Sequence, residues 1–335
     1  MIDRRAALVA MALSAALVVA MIASLAFGAY PISLSALFGG SLDATSKNVL
    51  IELRAPRVIT ACVAGAAFAL AGAAMQSLFR NPLADPGLLG VPSAAGLGAA
   101  TVVVLLASAG ALAVWPAAML GAFVAVMLLI AFAQRGGAQA TASLLLLGVA
   151  INAACGAALA LITSIATESQ LRTLAFWMLG SFANLNWSVI AGMSVCVVIA
   201  SIFLARDANA LGALALGERT ARSLGVDIKR LRVRVAIACA VLVAVVTAFC
   251  GNVAFVGLAA PHLARMWVGS GQRIVMLVSA LIGALLCVLA DIIARAVAAP
   301  VELPVGAITS ILGVPMLVWL VLKMSRAQSI SGRTL

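Results

Sequence analysis

The sequence predicts an all-α polytopic membrane protein that crosses the bilayer about ten times. Hydrophobic residues make up 65% of the 335 residues, and the mean hydropathy is +1.22. No soluble domain needs so much apolar surface. The apolar runs are continuous rather than alternating, which excludes a membrane β-barrel. The 28 glycines among many alanines favour close helix packing in lipid.

Ten apolar runs, bounded by charged residues or by clusters of Gly and Pro, are predicted as spans. The first is too long for the core of a signal peptide and matches an uncleaved spanning helix. The eighth is short for a full crossing, so we expect buried, ordered, non-helical backbone to continue it. The predicted limits are 6–29, 58–79, 94–110, 114–134, 141–166, 187–205, 233–250, 256–268, 274–298 and 305–323.

The distribution of basic residues predicts the orientation of the chain. An even number of spans puts both termini on one side, which we assign to the cytoplasm because most of the 21 Lys and Arg residues then lie there. The net charge of +11 therefore reflects membrane orientation, and no nucleic-acid partner is expected. The basic residues left on the outer side are Lys47, Arg54, Arg57, Arg172 and Arg295.

The sequence offers no catalytic or metal-binding pattern. The six cysteines lie scattered through apolar runs without a CxxC pair, and the only histidine is His262. No phosphate-binding loop and no soluble domain for a nucleotide is present. We therefore expect no catalysis in this chain and no cofactor bound by it. A membrane-embedded enzyme is disfavoured, because the spans hold no paired carboxylates and no Ser/His set.

One acidic residue, Asp291, lies clearly within a predicted span. It precedes Arg295 by four residues, so an ion pair on one helix face explains it. A proton-coupled secondary transporter that uses Asp291 or Glu302 is the alternative. Because no other acidic residue lies within the predicted spans, the energy for transport is expected to come from another subunit.

A charged stretch, "LGALALGERTARSLGVDIKRLRVRV", interrupts the apolar chain between the sixth and seventh spans. Good helix formers run from Leu214 to Leu224, and Gly225 is suited to end a helix. Such a helix on the cytoplasmic face could insert into a groove on an ATPase. From composition alone, a solvated loop explains the stretch equally well.

Several motifs in this order resemble the FecCD/BtuC-type permeases of type II ABC importers, which import iron–siderophores, haem and cobalamin. The similarity extends from about Tyr30 to Lys323. From the N-terminal to the C-terminal end, the motifs are "RAPRVITACVAGAAFALAGAAMQSLFRNPLADPGLLGV", "FWMLGSFANLNW", "LALGERTARSLGVDIKRLR", "FVGLAAPHLAR" and "ADIIARAVAAPVELPVGAITSILGVPMLVW".

The resemblance implies a single permease domain over residues 1–335 with a coupling helix at about 214–225. It implies a homodimer on two cytoplasmic ATP-binding subunits, which use the ATP, and a periplasmic substrate-binding protein. The chain would lie in the bacterial inner membrane and import an iron chelate, haem or a ferric siderophore, by alternating access. A cobalamin importer is the alternative within the family.

The resemblance also implies roles for individual residues. Contact with the ATPase would involve Leu216, Gly217, Glu218, Arg219, Ala221, Arg222, Leu224 and Gly225. The outer-surface arginines that would dock the binding protein are Arg54, Arg57 and Arg295. The candidates for the translocation path, for which helix–helix hydrogen bonding is the other explanation, are Thr163, Ser164, Glu168, Gln170 and Arg172. We expect the turn 80–87 to be a structural elbow and His262 to be a packed core residue.

Overall fold

The computed structural model describes residues 4–28, 30, 32, 43–135, 140–183, 185–297 and 301–331. These described residues form twelve helices. Short 3₁₀ turns join some of them, and π-helical turns lie within α2 and α3. The helices are α1 (Arg4–Ala26), α2 (Ala44–Leu78), α3 (Val91–Leu105), α4 (Val114–Arg135), α5 (Ala140–Ser164), α6 (Glu168–Leu179), α7 (Trp187–Ala215), α8 (Glu218–Ser223), α9 (Ile228–Cys250), α10 (Val256–Val268), α11 (Gln272–Ala296) and α12 (Val305–Ser331).

The predicted all-helical membrane fold is confirmed. Each of the ten predicted spans coincides with one helix, and α6 and α8 are the two additional helices. Among the described residues, seven helices are long and apolar enough to cross a membrane, while α3 and the apolar part of α12 are shorter. The predicted limits at Ala29 and at 298 lie outside the described residues. The short α10 is preceded by non-helical backbone at 251–254, as predicted, with Gly251 and Val253 buried.

The core of the subunit is built around α2, which packs against α7, α9, α10 and α11. Glycines allow two of these contacts to be made backbone to backbone. A Cβ added at Gly65 of α2 would overlap the carbonyl of Gly283 in α11, and one added at Gly72 would overlap that of Gly257 in α10. Small residues therefore set the spacing between helices, as expected where packing drives helix association in lipid.

A second group of helices, α3, α4 and α5, packs beside this core, and α4 also contacts α9. The outward side of α5 and α6 is apolar and exposed, as at Leu161, Ile165 and Phe176. The described residues between Leu161 and Leu179 therefore include several exposed apolar side chains.

The short helix after α7 differs from its predicted limits. Leu214 and Ala215 belong to the long helix α7, which ends there. Leu216 and Gly217 are not helical, and the φ of Gly217 is +123°. Helix α8 then covers only Glu218–Ser223. The predicted stop at Gly225 is confirmed, because its φ is +79° and the following amide of Val226 donates to Ala221 at 3.0 Å.

Candidate functional site

Arginine side chains cluster where the C-terminal ends of α1 and α11 meet the N-terminal part of α2. Arg54 lies in the π-helical turn of α2 and is buried. Its guanidinium donates to the backbone carbonyl oxygens of Leu25 (2.7 Å) and Ala26 (2.9 Å) at the end of α1, and to that of Tyr30. The arginine thus caps the last turn of α1 and fixes it to α2.

Arg57 bridges two carboxylates that lie far apart in the sequence. Its Nε donates to Oδ1 of Asp291 in α11 at 2.8 Å, and its Nη1 donates to both carboxylate oxygens of Glu302 at 2.7 and 2.8 Å. The Arg57 and Asp291 side chains are buried, at 9% and 1% exposed, whereas the Glu302 side chain is 50% exposed. One partner of Arg57 is therefore internal and the other stands at the surface.

Arg295 completes the cluster from the last turns of α11. Its Nε forms an ion pair with Oδ2 of Asp291 at 3.1 Å, which confirms the predicted i,i+4 pair. Its Nη atoms donate to Oγ of Ser24 (2.5 Å) and to the carbonyl oxygen of Phe27 (3.0 Å). The arginine therefore ties α11 to the C-terminal end of α1.

The three arginines are bonded within the chain rather than free at the surface. Arg54 and Arg57 are buried and the Arg295 side chain is 9% exposed, and these desolvated guanidinium groups find their acceptors inside the chain. Their docking role stays a prediction. Three positive charges face two carboxylates, Asp291 and Glu302, so the cluster keeps an excess of one positive charge.

Sequence reasoning missed that Glu302 and Ser24 belong to this cluster. Glu302 could have been found, because it is an acidic residue next to a predicted span end and 11 residues after Asp291 in an otherwise apolar stretch. Nothing in the sequence around Ser24 distinguishes it from the other small residues of α1, since its role comes only from the packing of α1 on α11.

At the opposite end of the bundle, α8 is held against the other helices by charge and by packing. Glu218 accepts from Arg232 of α9 and pairs with Arg222 at 3.5 Å. Ala221 is fully buried. Two large apolar side chains flank the helix in the open, Leu216 at 73% and Leu224 at 65% exposed. The predicted coupling residues therefore form one surface with a charged centre and apolar ends.

The remaining predicted members of this surface occupy its edges. Arg219 is exposed, while Gly217 and Gly225 adopt the positive φ values that begin and end the segment. Near the C-terminal end of α7, Asp207 accepts hydrogen bonds from the Arg234 guanidinium of α9 at 3.0 and 2.7 Å. Sequence reasoning missed this pair, which ties α7 to α9.

The five path candidates lie together at the junction of α5 and α6. Thr163 and Ser164 use their hydroxyl groups within α5, donating to the carbonyl oxygens of Leu159 (2.9 Å) and Leu161 (2.7 Å). Gln170 forms a capping box with Thr167. These contacts fit the helix-structure explanation for three of the five residues.

The other two path candidates remain open to the surroundings. Glu168 and Arg172 form a loose pair at 3.7 Å and are 93% and 73% exposed. They are the charged side chains that this junction presents outward. Polar contact with a ligand is therefore available to Glu168 and Arg172, while the hydroxyl groups of Thr163 and Ser164, which already donate within α5, can still accept a hydrogen bond.

The elbow after α2 is a built turn. Asn81 accepts from the amide of Leu83 at 2.9 Å, and Asp85 accepts from that of Gly87 at 2.7 Å at the start of a 3₁₀ turn. Burial raises the pKa of the Asp85 carboxyl, and the bond from Gly87 acts in the opposite direction. Arg80, at φ +51°, begins the turn. This geometry agrees with the predicted structural elbow.

Two small cavities adjoin the elbow, of about 230 and 210 Å³, and share Pro92, Ser93 and Asn252 in their walls. His262 lies half-buried in α10. The six cysteines are free thiols. Within the described ranges, no three His, Cys, Asp or Glu side chains come together in a way that could hold a metal ion.

Comparison with known proteins gives concordant results. The model of the FecCD transport family matches residues 16–323. The hemin transport system permease protein HmuU of Yersinia pestis is 38% identical over 316 residues, which cover 93% of this chain and 95% of that protein. The vitamin B12 import system permease protein BtuC of Salmonella typhi is 36% identical over 289 residues, covering 86% and 88%.

The fold is also found among solved structures. A structure described as an inward-facing conformation of a metal-chelate type ABC transporter superposes with a TM-score of 0.84. It is 30% identical in sequence, and the match covers 94% of this chain and 98% of that one.

Proposed function

The chain belongs to the FecCD transport family, and from that premise we propose that it is the permease subunit of a binding-protein-dependent ABC importer. Its substrate is an iron chelate, haem or a ferric siderophore, which crosses the bacterial inner membrane by alternating access. The observation that carries this proposal is the 38% identity to a hemin permease over 93% of the chain. The chain itself hydrolyses no ATP and binds no cofactor.

A cobalamin importer of the same architecture is the second candidate. The vitamin B12 permease relative is 36% identical, which is close to the value for the hemin permease, but covers less of this chain. The difference in coverage favours haem. Haem and cobalamin are both large planar metal chelates, so one type of wide central pathway would serve either.

Two cytoplasmic ATP-binding subunits are proposed to engage the surface around α8. The exposed side chains of Leu216 and Leu224 support this, because two large apolar groups in a charged segment suit insertion into a partner groove. The Glu218–Arg232 contact holds α8 to α9, so a push on α8 would reach the helices of the bundle.

The periplasmic binding protein is proposed to dock at the cluster of Arg54, Arg57 and Arg295. The excess positive charge of the cluster suits acidic side chains on the partner. Because Arg57 is buried, docking would proceed by exchange: a partner carboxylate would replace Glu302, the half-exposed acceptor, while Asp291 keeps its bond to Nε. Asp291 is thus assigned to structure rather than to proton transfer.

The subunit is proposed to form a homodimer across the exposed apolar face of α5 and α6. The exposed side chains of Leu161, Ile165 and Phe176 support this, since such a face needs lipid or a partner. The translocation path would then run along the same helices, where Glu168 and Arg172 present charge.

A growth and uptake experiment tests the proposed substrate. A strain without this chain and without redundant importers would receive haem, a panel of ferric siderophores or cobalamin as the sole route to the nutrient. Loss of growth on haem alone, restored by the wild-type chain, is the expected result. If growth is lost instead on a siderophore or on cobalamin, that compound and not haem is the substrate. Unimpaired growth on all of them would contradict the proposed import function.

A further inference from the structure

A groove of about 430 Å³ lies between α7 and α11 on the same side of the molecule as α8. Its walls are formed by Ala205 and Arg206 from α7, and by Arg273, Ile274 and Leu277 from α11. The groove is separate from the predicted coupling surface, docking cluster and path residues. It combines two guanidinium groups with an apolar floor.

The two arginines of the groove have no acidic partner among the described residues. Both are exposed, and neither takes part in the ion pairs that join the other charged side chains. Asp207, the neighbouring acid in sequence, is occupied by Arg234 in α9. The Arg206 guanidinium lies 5.8 Å from the ring centre of Phe203, which orients it along the helix surface. The groove therefore holds two uncompensated positive charges.

The position of the groove along α7 matches the level of lipid headgroups. From Trp187 to Arg206, α7 rises by about 30 Å, which is the thickness of the hydrocarbon core of a bilayer. The remaining residues to Ala215 carry the helix about 13 Å further towards α8. The arginines therefore stand at the cytoplasmic boundary of the membrane, above the surface assigned to the ATPase.

Apolar side chains continue from the groove towards the middle of the membrane. On α7 these side chains are Val198, Ile199 and Ile202, each about half exposed. On α11 the apolar surface is that of Leu277, a residue of the groove wall that is 49% exposed. An acyl chain attached to a headgroup in the groove would lie along this apolar strip. A free phosphate ion would leave the strip unused.

We propose that this groove binds the headgroup of an anionic phospholipid of the cytoplasmic leaflet. The phosphate oxygens accept hydrogen bonds from the Arg206 and Arg273 guanidinium groups, which are suited to bidentate phosphate contacts. The acyl chains pack on the strip of α7. A basic pocket between helices at the cytoplasmic boundary is the arrangement expected for an anionic headgroup.

Lipid titration of the full-length chain, purified with its partner subunits, tests the proposal. Native mass spectrometry would count bound dioleoylphosphatidylglycerol and dioleoylphosphatidylcholine at a series of concentrations. We expect the wild type to prefer phosphatidylglycerol by about tenfold or more. The double substitution Arg206→Gln/Arg273→Gln is expected to weaken phosphatidylglycerol binding by about thirtyfold, with little change for phosphatidylcholine.

The control is the double substitution Lys229→Gln/Arg230→Gln, which removes the same charge from the inner end of α9 outside the groove. It is expected to change phosphatidylglycerol binding by less than about threefold. Equal losses in the two double variants, or equal wild-type affinity for the two lipids, would overturn the proposal. Displacement of the lipid by millimolar inorganic phosphate would overturn it too, since it would indicate a site for free anions.

A variant that keeps the charges separates binding from folding. Arg206→Lys/Arg273→Lys is expected to stay within about fivefold of wild-type phosphatidylglycerol affinity, with an unchanged elution volume in gel filtration. If the glutamine pair does not assemble, the lysine pair and the wild-type lipid preference decide. A folded lysine pair without a preference for phosphatidylglycerol contradicts the proposal, and so does a wild type without that preference.

Discussion

Arg57 and Asp291, 234 positions apart in sequence, form a buried ion pair of 2.8 Å that joins the N-terminal part of α2 to the C-terminal part of α11. The same carboxylate pairs with Arg295. One acidic side chain therefore compensates two guanidinium groups that have little access to water. Removing one partner of such a pair leaves an uncompensated buried charge, which costs more than the pair itself contributes.

The substitution Asp291→Asn is expected to destabilise the detergent-solubilised protein by about 3–5 kcal/mol. Glu302→Gln, which removes the half-exposed partner of Arg57, is expected to cost below about 1 kcal/mol. Thermal or denaturant unfolding would measure both. Comparable losses of stability in the two variants would contradict the assignment of Asp291 as the internal partner.

Docking by exchange of carboxylates makes a separate prediction for Glu302. Glu302→Gln frees Arg57 for a partner carboxylate, so the periplasmic binding protein should bind about fivefold more tightly, the equivalent of one exposed ion pair. Surface plasmon resonance on the reconstituted transporter would measure this. Glu52→Gln, which removes an equal charge at the same end of α2, is the matched control. Weaker binding in Glu302→Gln would instead make Glu302 part of the docking surface.

Backbone contact between α2 and α10 predicts an intolerant glycine. Gly72→Ala would drive a methyl group into the carbonyl of Gly257 and should cost about 1–3 kcal/mol or more. Gly192→Ala in α7 is the control, because no atom lies within 4 Å of a Cβ added there. Membrane yield and melting temperature would distinguish the two, and a normal Gly72→Ala protein would mean that these helices are free to separate.

The exposed leucines beside α8 predict a defect in partner binding without a defect in folding. Leu216→Ser/Leu224→Ser should reduce co-purification of the ATP-binding subunits by about tenfold or more, as expected for apolar anchors of an interface. Leu106→Ser, an exposed leucine in the turn between α3 and α4, is the control. An unchanged yield of the complex from the double variant would remove these leucines from the ATPase contact.

The sequence was sufficient to predict which ten apolar runs form helices, since each run needs only its own composition to be recognised. It was also sufficient for the Asp291–Arg295 pair and the stop at Gly225, because both depend on spacing within one helix. Glu302 stands out in the sequence as an acidic residue near a span end, but its pairing with Arg57 could not be predicted, and neither could that of Asp207 with Arg234, since helix packing brings those residues together. The predicted start of α8 at Leu214 was wrong, because Leu214 and Ala215 suit either helix. Only the positive φ of Gly217 separates α7 from α8.

The continuity of α7 also has a mechanical consequence. Its 29 residues form a rod of about 43 Å, joined to α8 through only Leu216 and Gly217. A sideways displacement of about 2 Å at the inner end would tilt such a rod by about 3° if its outer end stayed fixed. The Arg234–Asp207 pair lies near the moving end, so it would carry part of that tilt into α9 as a torque. Stiffness of one uninterrupted helix, rather than flexibility of the loop, would then set how far a small cytoplasmic movement reaches across the membrane.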